Sequence, residues 1–202
     1  FCFVDASRGF QHVRLKVADA RSGAVTTLVD ENSAKYVNYT LAFYNWRRLG
    51  DRELLWISER DGWAHLYHYD LQSGSLKRQL TKGEWMVREV VGVFENPRRV
   101  YFYASGREPG RDPYLKHLYS LAWDTGQIRL LTPEAAEHQV SLSPDGKYLV
   151  DSYSTVNQPW TSVVRGSNDG TVILELERGD LKPLQKLGWT PPEPFEVTAA
   201  DG

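Results

Sequence analysis

The chain has 202 residues, of which 41% are hydrophobic and 12% are aromatic, so it is long enough to bury a substantial core. Its formal net charge of −2 provides no electrostatic attraction for nucleic acid or for an anionic membrane surface. It contains no run of about 18 apolar residues, so the sequence predicts no membrane span.

The single cysteine, Cys2, excludes an internal disulfide and a zinc site built from several cysteines, and it leaves the cellular compartment open. The sequence shows neither an initiator methionine nor a secretory signal, and Phe1 already lies in a strand-like segment. We therefore expect the chain to be part of a longer protein, whose compartment cannot be read from this sequence.

Residues 1–31 are predicted to form the later strands of a first sheet. Val13, Leu15 and Val17 alternate with polar or small residues, which is the period of a strand with one buried face. A turn closed by Gly23 leads into a further strand-like segment before the polar residues that end this unit.

Residues 34–82 are predicted to form a fuller second sheet. The β-prone and aromatic segment 36–43 is expected to be its first strand, and 47–51 is expected to be a turn. The segments 54–58 and 65–70 are then expected to pair across a polar turn.

Two further units follow, over 85–132 and 138–177. In the third unit the loop 106–113 replaces a short hairpin turn, because it is too polar and too rich in glycine and proline for a strand. The fourth unit contains Ser-Pro-Asp-Gly at 143–146, a strong hairpin signal, since proline presets φ and glycine supplies a positive φ.

The four units share a period. Their turn glycines are Gly23, Gly74, Gly126 and Gly170, which are 51, 52 and 44 residues apart. A nearly fixed period of this size, built from strands and turns, is typical of propeller blades, whose small sheets bury their faces against one another. The sequence therefore predicts an all-β fold: a partial β-propeller of about three to four antiparallel, four-stranded blades.

The character of the sequence changes after Glu177. Residues 180–187 predict a short helix capped by Asp180, and the proline-rich residues 190–194 predict an extended linker. A new strand is expected at 195–198. We accordingly assign 1–188 to the partial propeller and 189–202 to a linker and first strand that lead into an absent domain.

The sequence offers no recognisable catalytic apparatus. It contains no Gly-x-Ser-x-Gly, no His-Glu-x-x-His, no phosphate loop and no dinucleotide fingerprint. His65 and His68 are three residues apart, which on a strand places them on opposite faces and argues against joint metal ligation. We predict no catalytic residue, no metal and no cofactor.

The charged segment Ser58–Trp63 has two interpretations. It can be a binding loop, or a turn in which Asp61 hydrogen-bonds nearby backbone while Trp63 packs on the next strand. We favour the turn, because aspartate and glycine in this order serve that role on their own.

The loop 106–113 is the better candidate for a binding function. Insertions that break the period of a repeat tend to carry contacts specific to one protein. We therefore take Arg107, Glu108 and Arg111 as candidate partner-contact residues, with an inert surface loop as the alternative.

Several segments resemble one family. SERDGWAHLYHY at 58–69, followed by LTKGEW at 80–85, resembles the dipeptidyl peptidase IV group within the prolyl oligopeptidase family of serine peptidases. ASGREPGRDPYLKHLY at 104–119 and the exit GWTPPEPF at 188–195 are also similar to that family, whereas SLSPDGKY at 141–148 is found in many propellers. The resemblance covers nearly the whole chain.

The resemblance implies a parent of two domains, in which the propeller caps an α/β-hydrolase domain. That domain would carry a Ser-Asp-His triad, beyond Gly202, and remove N-terminal dipeptides whose second residue is proline or alanine. The family's acidic pair for the substrate amine would precede Phe1. The family's aromatic residue near the start of a blade corresponds to the region 39–47, where Tyr39 is the candidate substrate-binding residue and an ordinary core aromatic is the alternative. The parent would be periplasmic, secreted or membrane-anchored.

We therefore expect a non-catalytic propeller fragment of a serine exopeptidase that gates and positions peptide substrates. The repeats alone fit an alternative, a propeller-type module that binds a protein or a glycan and has no peptidase domain. The expected partners are peptide substrate through the parent and the absent hydrolase domain, without nucleic acid. Self-association is a further expectation, because open blade edges expose unpaired strands.

Overall fold

The computed structural model describes residues 1–38, 40, 45–193 and 195–201, and these residues are organised mainly as antiparallel β-sheets. The chain divides into two compact units, Phe1–Leu130 and Leu131–Gly202. The first unit holds three sheets and the second unit holds one.

In the first unit the strands of each sheet follow one another in chain order, as in a meander. The first sheet contains β1 (Cys2–Ala6), β2 (His12–Ala18) and β3 (Val25–Asn32). The second contains β4 (Arg47–Leu49), β5 (Glu53–Ser58), β6 (His65–Asp70) and β7 (Leu76–Gln79). The third contains β8 (Met86–Glu95), β9 (Arg98–Ser105), β10 (His117–Ala122) and β11 (Ile128–Leu130).

The second unit consists of one four-stranded sheet and a short helix. The sheet contains β12 (Glu137–Leu142), β13 (Tyr148–Thr155), β14 (Gln158–Gly166) and β15 (Val172–Arg178). The helix α1 spans Lys182–Lys186. None of the helices in the described ranges is both long enough and apolar enough to cross a membrane.

The strand β5 explains how the first unit forms its core. Leu54 and Trp56 pack with residues of the first sheet, whereas Leu55 and Ile57 pack with residues of the third. A strand that is buried on both faces needs a continuous apolar run rather than an alternation. The second sheet is therefore sandwiched between its neighbours, in the manner expected of successive blades.

The repeated turns have the geometry that the sequence predicts. The four turn glycines have φ values of 68° to 80°, and each amide donates to the carbonyl four residues earlier. In the first two turns an aspartate adds further bonds: Asp19 accepts from the amides of Ser22 and Arg21, and Asp70 from those of Ser73 and Gln72. Those amides hold the pKa of each aspartate below its ordinary value.

The predicted first strand of the second sheet is wrong in the part that the structure describes. Residues 36–38 form no strand, and Arg47–Leu49, predicted to be a turn, forms β4. Tertiary contacts decide this: the amide of Val37 donates to the carbonyl of Phe10 (2.7 Å), and the Arg47 guanidinium donates to the carbonyl of Val90 (3.0 Å). Intrinsic β-propensity is weaker than such packing.

The C-terminal segment differs from its prediction in two details. The helix is shorter than 180–187 and begins after Leu181, although the Asp180 carboxylate does accept the amide of Lys182 (2.9 Å). Residues 195–198 form no strand.

Candidate functional site

The loop 106–113 folds back on its own sheet. The Arg107 guanidinium lies over the rings of Trp85 (5.6 Å) and Tyr119 (5.1 Å), and Arg107 Nη1 is 3.3 Å from Glu108 Oε1. The Tyr119 hydroxyl donates to the same carboxylate oxygen at 2.9 Å. Burial and this hydrogen bond raise the pKa of Tyr119. Arg107 and Glu108 therefore anchor the loop, and their half-buried side chains are largely engaged within the chain.

Arg111 is the third candidate of this loop, and its environment is different. Its amide donates to the carbonyl of Glu108 (3.4 Å), while the Nη1 atom of its side chain is buried without a hydrogen-bond partner among the described residues. A buried donor of this kind costs free energy unless a partner satisfies it. Arg111 is followed by the exposed residues Asp112, Pro113 and Tyr114, and its role as a partner contact stays a prediction.

A second cluster forms around Glu31, which the sequence did not single out. Its buried carboxylate accepts from Trp56 Nε1 (3.1 Å) and Ser58 Oγ (2.8 Å) and forms a close ion pair with Arg60. The Arg60 guanidinium also donates to the Tyr69 hydroxyl (2.6 Å). The cluster lies beside a cavity of about 140 Å³. Its donors already satisfy the carboxylate, so it is primarily a link between the first two sheets.

The turn Ser58–Trp63 makes contacts within the chain that differ from those expected of a structural turn, and its role stays a prediction. Asp61 accepts the hydroxyl of Tyr67 (2.6 Å). Trp63 is 43% exposed, and its expected packing on the next strand stays a prediction. The charged residue of this turn that pairs with a buried group is Arg60, whose partner is Glu31.

The second unit contains a buried charged cluster. Arg165 Nε is 2.9 Å from Asp151 Oδ2, and Arg165 Nη2 is 2.6 Å from Glu134 Oε2. His138 Nδ1 lies 2.9 Å from Asp151 Oδ1. Glu134, His138 and Asp151 bring ligand atoms within 4.8 Å of one another, which is metal-site spacing, but the Arg165 guanidinium already binds both carboxylates.

The buried charged cluster of the second unit was not predicted, although the sequence contains a signal for it. Asp151 shares its face of β13 with the buried Leu149, and Arg165 shares its face of β14 with the buried Val163. A charged residue at an inward position of two adjacent strands indicates a buried ion pair, because an unpaired charge would be too costly there.

The two histidines of β6 have separate partners. His65 lies 3.1 Å from Thr81 Oγ1 and 2.9 Å from the carbonyl of Gly83. His68 Nε2 lies 3.0 Å from the Glu53 carboxylate. Burial lowers the pKa of both histidines.

The predicted substrate residue Tyr39 lies outside the described residues. Of the other predicted site residues, Arg107 and Glu108 contact each other. Arg111 lies in the same loop, and its Nη1 atom has no hydrogen-bond partner among the described residues.

Comparison with known proteins identifies the relatives of this chain. The model of the dipeptidyl peptidase IV (DPP IV) N-terminal region matches residues 1–160. Dipeptidyl peptidase 4 of Arthroderma otae is 35% identical over 109 residues, and the probable dipeptidyl peptidase 4 of Aspergillus fumigatus is 32% identical over 106 residues. Each alignment covers 52% of this chain and 13% of the relative, so the chain spans a small part of these proteins.

Two solved structures have the same fold. The dipeptidyl peptidase 4 of Porphyromonas gingivalis superposes with a TM-score of 0.77 at 21% identity, over 92% of this chain and 25% of that one. A putative dipeptidyl aminopeptidase IV from Bacteroides ovatus gives 0.73 at 24% identity, over 88% and 27%. The predicted all-β, partial-propeller fold is thereby confirmed. With a family match over residues 1–160, the chain belongs to the dipeptidyl peptidase IV N-terminal region family.

Proposed function

We propose that the chain is the non-catalytic, C-terminal part of the propeller of a serine exopeptidase that removes N-terminal X-Pro or X-Ala dipeptides. The observation that carries this proposal is the family match over residues 1–160, which coincides with the repeated four-sheet architecture. In this role the propeller gates the entry of peptides and positions their N-termini.

The topology of the fourth sheet defines where the chain leaves it. In the fourth sheet, Arg178 at the end of β15 pairs with Thr161. It therefore lies at the same end of the strands as the turn between β13 and β14. The chain leaves the sheet at this end. The loop 106–113 joins the corresponding strands of the third sheet, β9 and β10. We assign 1–188 to the propeller and 189–202 to the linker toward the hydrolase domain.

The first test uses the purified chain and the chromogenic substrates Gly-Pro-anilide and Ala-Pro-anilide. We expect no release of product above a boiled control, because the sequence contains no recognisable nucleophile motif. Turnover by the native chain that the boiled sample lacks would refute the non-catalytic assignment.

The second test reads the parent gene past the codon for Gly202. A Gly-x-Ser-x-Gly motif followed by an aspartate and a histidine, in that order, would place the peptidase chemistry there. A stop codon or an unrelated domain would instead favour a propeller-type module that binds a protein or a glycan.

The role of Arg111 is testable in the full-length protein. We expect Arg111→Ala to lower the rate on a long peptide by about threefold relative to the rate on a dipeptide anilide, the effect of losing about 0.7 kcal/mol of a partly exposed charge contact. Arg21→Ala, in an exposed turn at the opposite edge of the first sheet, is the matched control. An equal change for both substrates would contradict a partner contact at Arg111.

We also propose that the chain by itself associates through β15. This strand is the outer edge of its sheet, and Val172, Ile173, Leu174 and Leu176 are 46% to 56% exposed. An apolar edge strand with free backbone groups is a template for pairing with a second copy. Light scattering should show that the mass of the wild-type chain rises with concentration, whereas the Leu174→Lys variant should stay monomeric. A wild-type chain that stays monomeric at all concentrations would refute this proposal.

A further inference from the structure

The fourth sheet has one buried face and one exposed face. Leu149 and Val163 lie on the buried face and are 1% and 2% exposed. Tyr148 and Val150 flank Leu149 on β13, so they lie on the opposite face, where they are 49% and 39% exposed. We call this exposed side the open face of the fourth sheet, and its apolar members are Tyr148, Val150, Val164, Ile173 and Leu174.

An apolar row crosses three adjacent strands of the open face. Val150 of β13 pairs with Val164 of β14, and Val164 pairs in turn with Leu174 of β15. Residues directly opposite one another in a sheet have side chains on the same face and in contact. Val164 is half-buried between its neighbours, whereas Leu174 is 55% exposed.

A bulge in β15 widens this row. Ile173 lies between Leu174 and Val172, which pair with consecutive residues of β14, so Ile173 is the extra residue of the bulge. A Cβ atom on Gly166 would be 3.9 Å from Ile173 Cδ1, and Gly166 pairs with Tyr148. Ile173, which is 56% exposed, therefore lies on the open face beside Leu174.

A polar row borders the apolar row on the same face. The hydroxyls of Ser152 and Ser162 are 2.7 Å apart, and Ser162 pairs with Glu177 of β15. An apolar centre next to a polar rim is the usual arrangement of a protein–protein contact surface.

The first sheet shows a different chemistry on its exposed face. Arg14 and Lys16 lie on either side of the buried Leu15, so their side chains lie on the opposite face of β2. Lys16 Nζ is 2.6 Å from Asp5 Oδ2, and Arg14 Nη1 is 3.6 Å from the same oxygen. Arg14 Nε is also 3.4 Å from Asp30 Oδ2. A face of paired charges is well hydrated, whereas a contiguous apolar row marks a surface that another molecule covers.

This difference in charge determines which partner fits the open face. Packing the charged face of the first sheet on it would dehydrate the charges without providing new partners for them. A second copy of the open face has the same uncharged row, so two such faces related by a twofold axis match each other. Face-to-face packing of sheets already occurs within this chain, since the second sheet packs on the first and on the third.

We propose that two copies of this chain pack the open faces of their fourth sheets against each other in a symmetric dimer. The inference rests on the proposed self-association of the chain and adds a second surface to it, because Tyr148 and Val150 lie on β13, two strands away from the β15 edge. A twofold contact is closed, so this surface by itself produces a dimer and no larger assembly.

Sedimentation equilibrium of the purified 202-residue chain tests this surface. Val150→Lys should raise the dissociation constant of the dimer by about tenfold or more, because the ammonium group would be dehydrated in an apolar contact. Val156→Lys is the matched control and should leave the constant unchanged, since Val156 is 64% exposed in the turn between β13 and β14. If the two variants have equal constants while Leu174→Lys is monomeric, the β15 edge is the contact and the open face is not. A wild-type chain that stays monomeric would overturn both surfaces.

The rate of maleimide labelling gives a second readout, which also decides if Val150→Lys fails to fold. In a Cys2→Ser background, the cysteine of Val150→Cys should react more slowly as the chain concentration rises, because the dimer covers it. The cysteine of Val156→Cys should react at the same rate at all concentrations. An unchanged rate at position 150 across the concentrations where the mass doubles would overturn the proposal. Slow labelling of position 150 in a full-length protein that is monomeric would also overturn it, because another part of that protein would then cover the open face.

Discussion

The turn glycine Gly170 offers a stringent test of how closely the fourth sheet is packed. A Cβ atom at this position would lie 2.3 Å from the carbonyl oxygen of Leu131 and less than 3 Å from two more of its backbone atoms. At the equivalent turn position, Gly126 has a φ of 72°, close to the 80° of Gly170, and no atom within 4 Å of such a Cβ. The two positions therefore share the backbone conformation and differ in the space around it.

This pair separates two costs of the change to alanine. In Gly126→Ala only the left-handed backbone is penalised, by about 1 kcal/mol after allowance for the reduced entropy of the unfolded chain. In Gly170→Ala the backbone of Leu131 or of the turn must also move by about 1 Å, and overpacking of this kind adds about 1 to 3 kcal/mol. The same movement would disturb the bond from Arg165 Nη1 to the Gly170 carbonyl (3.1 Å). We expect a total loss of about 2 to 4 kcal/mol for Gly170→Ala.

Urea unfolding followed by the fluorescence of the seven tryptophans provides the measurement. In thermal unfolding each kcal/mol corresponds to about 2 to 4 °C for a chain of this size. Gly74→Ala should lie between the other two, since its Cβ would be 3.0 Å from the Leu28 carbonyl oxygen. If Gly170→Ala costs no more than Gly126→Ala, the close approach between the turn and Leu131 is wrong.

Three further predictions concern the other buried charges and rings. Replacing Arg60 by methionine should lower the free energy of unfolding by about 2 to 3 kcal/mol, because it leaves the buried carboxylate of Glu31 without its cation. Glu31→Gln should cost less, because its amide oxygen can still accept a hydrogen bond. Equal losses in urea unfolding would argue against the buried pair. Arg107→Ala should cost about 1 kcal/mol and speed protease cleavage in its loop, through loss of the stacking on two aromatic rings, and an unchanged cleavage rate would show that the stacking does not hold the loop. Burial lowers the pKa of His65 and His68, so below about pH 6.5 the unfolded chain binds more protons than the folded chain. The stability should therefore fall as the pH decreases from there. If the melting temperature of His68→Gln falls with acid as steeply as that of the wild type, His68 does not contribute to this loss.

The sequence predictions were accurate where the interacting residues are close together in the chain, and they failed where those residues are far apart. Hairpins were predictable because a turn and its two strands are adjacent in the chain, as at Asp19–Gly23 and at 143–146. The strand predicted at 36–43 failed in its described part because Val37 bonds to Phe10 in another loop. Local propensity carries no information about such a partner.

The candidate site shows the same division. An insertion that interrupts a repeat is visible in sequence, so the loop 106–113 could be selected without a structure. Whether Arg107 points outward or stacks on Trp85 depends on a residue more than twenty positions away, so the sequence does not distinguish these two orientations. Glu31 was missed for the same reason, since its partner Arg60 is 29 residues distant.

The sequence by itself determined the number of repeats, their turns and, through its motifs, the family resemblance, because each of these is written in residues close together in the chain. Only the tertiary structure decided which charges are buried and what neutralises them. Glu134, His138, Asp151 and Arg165 come from three strands and a connecting segment, and their contacts with one another exist only because the folded sheet brings these distant residues to within about 3 Å.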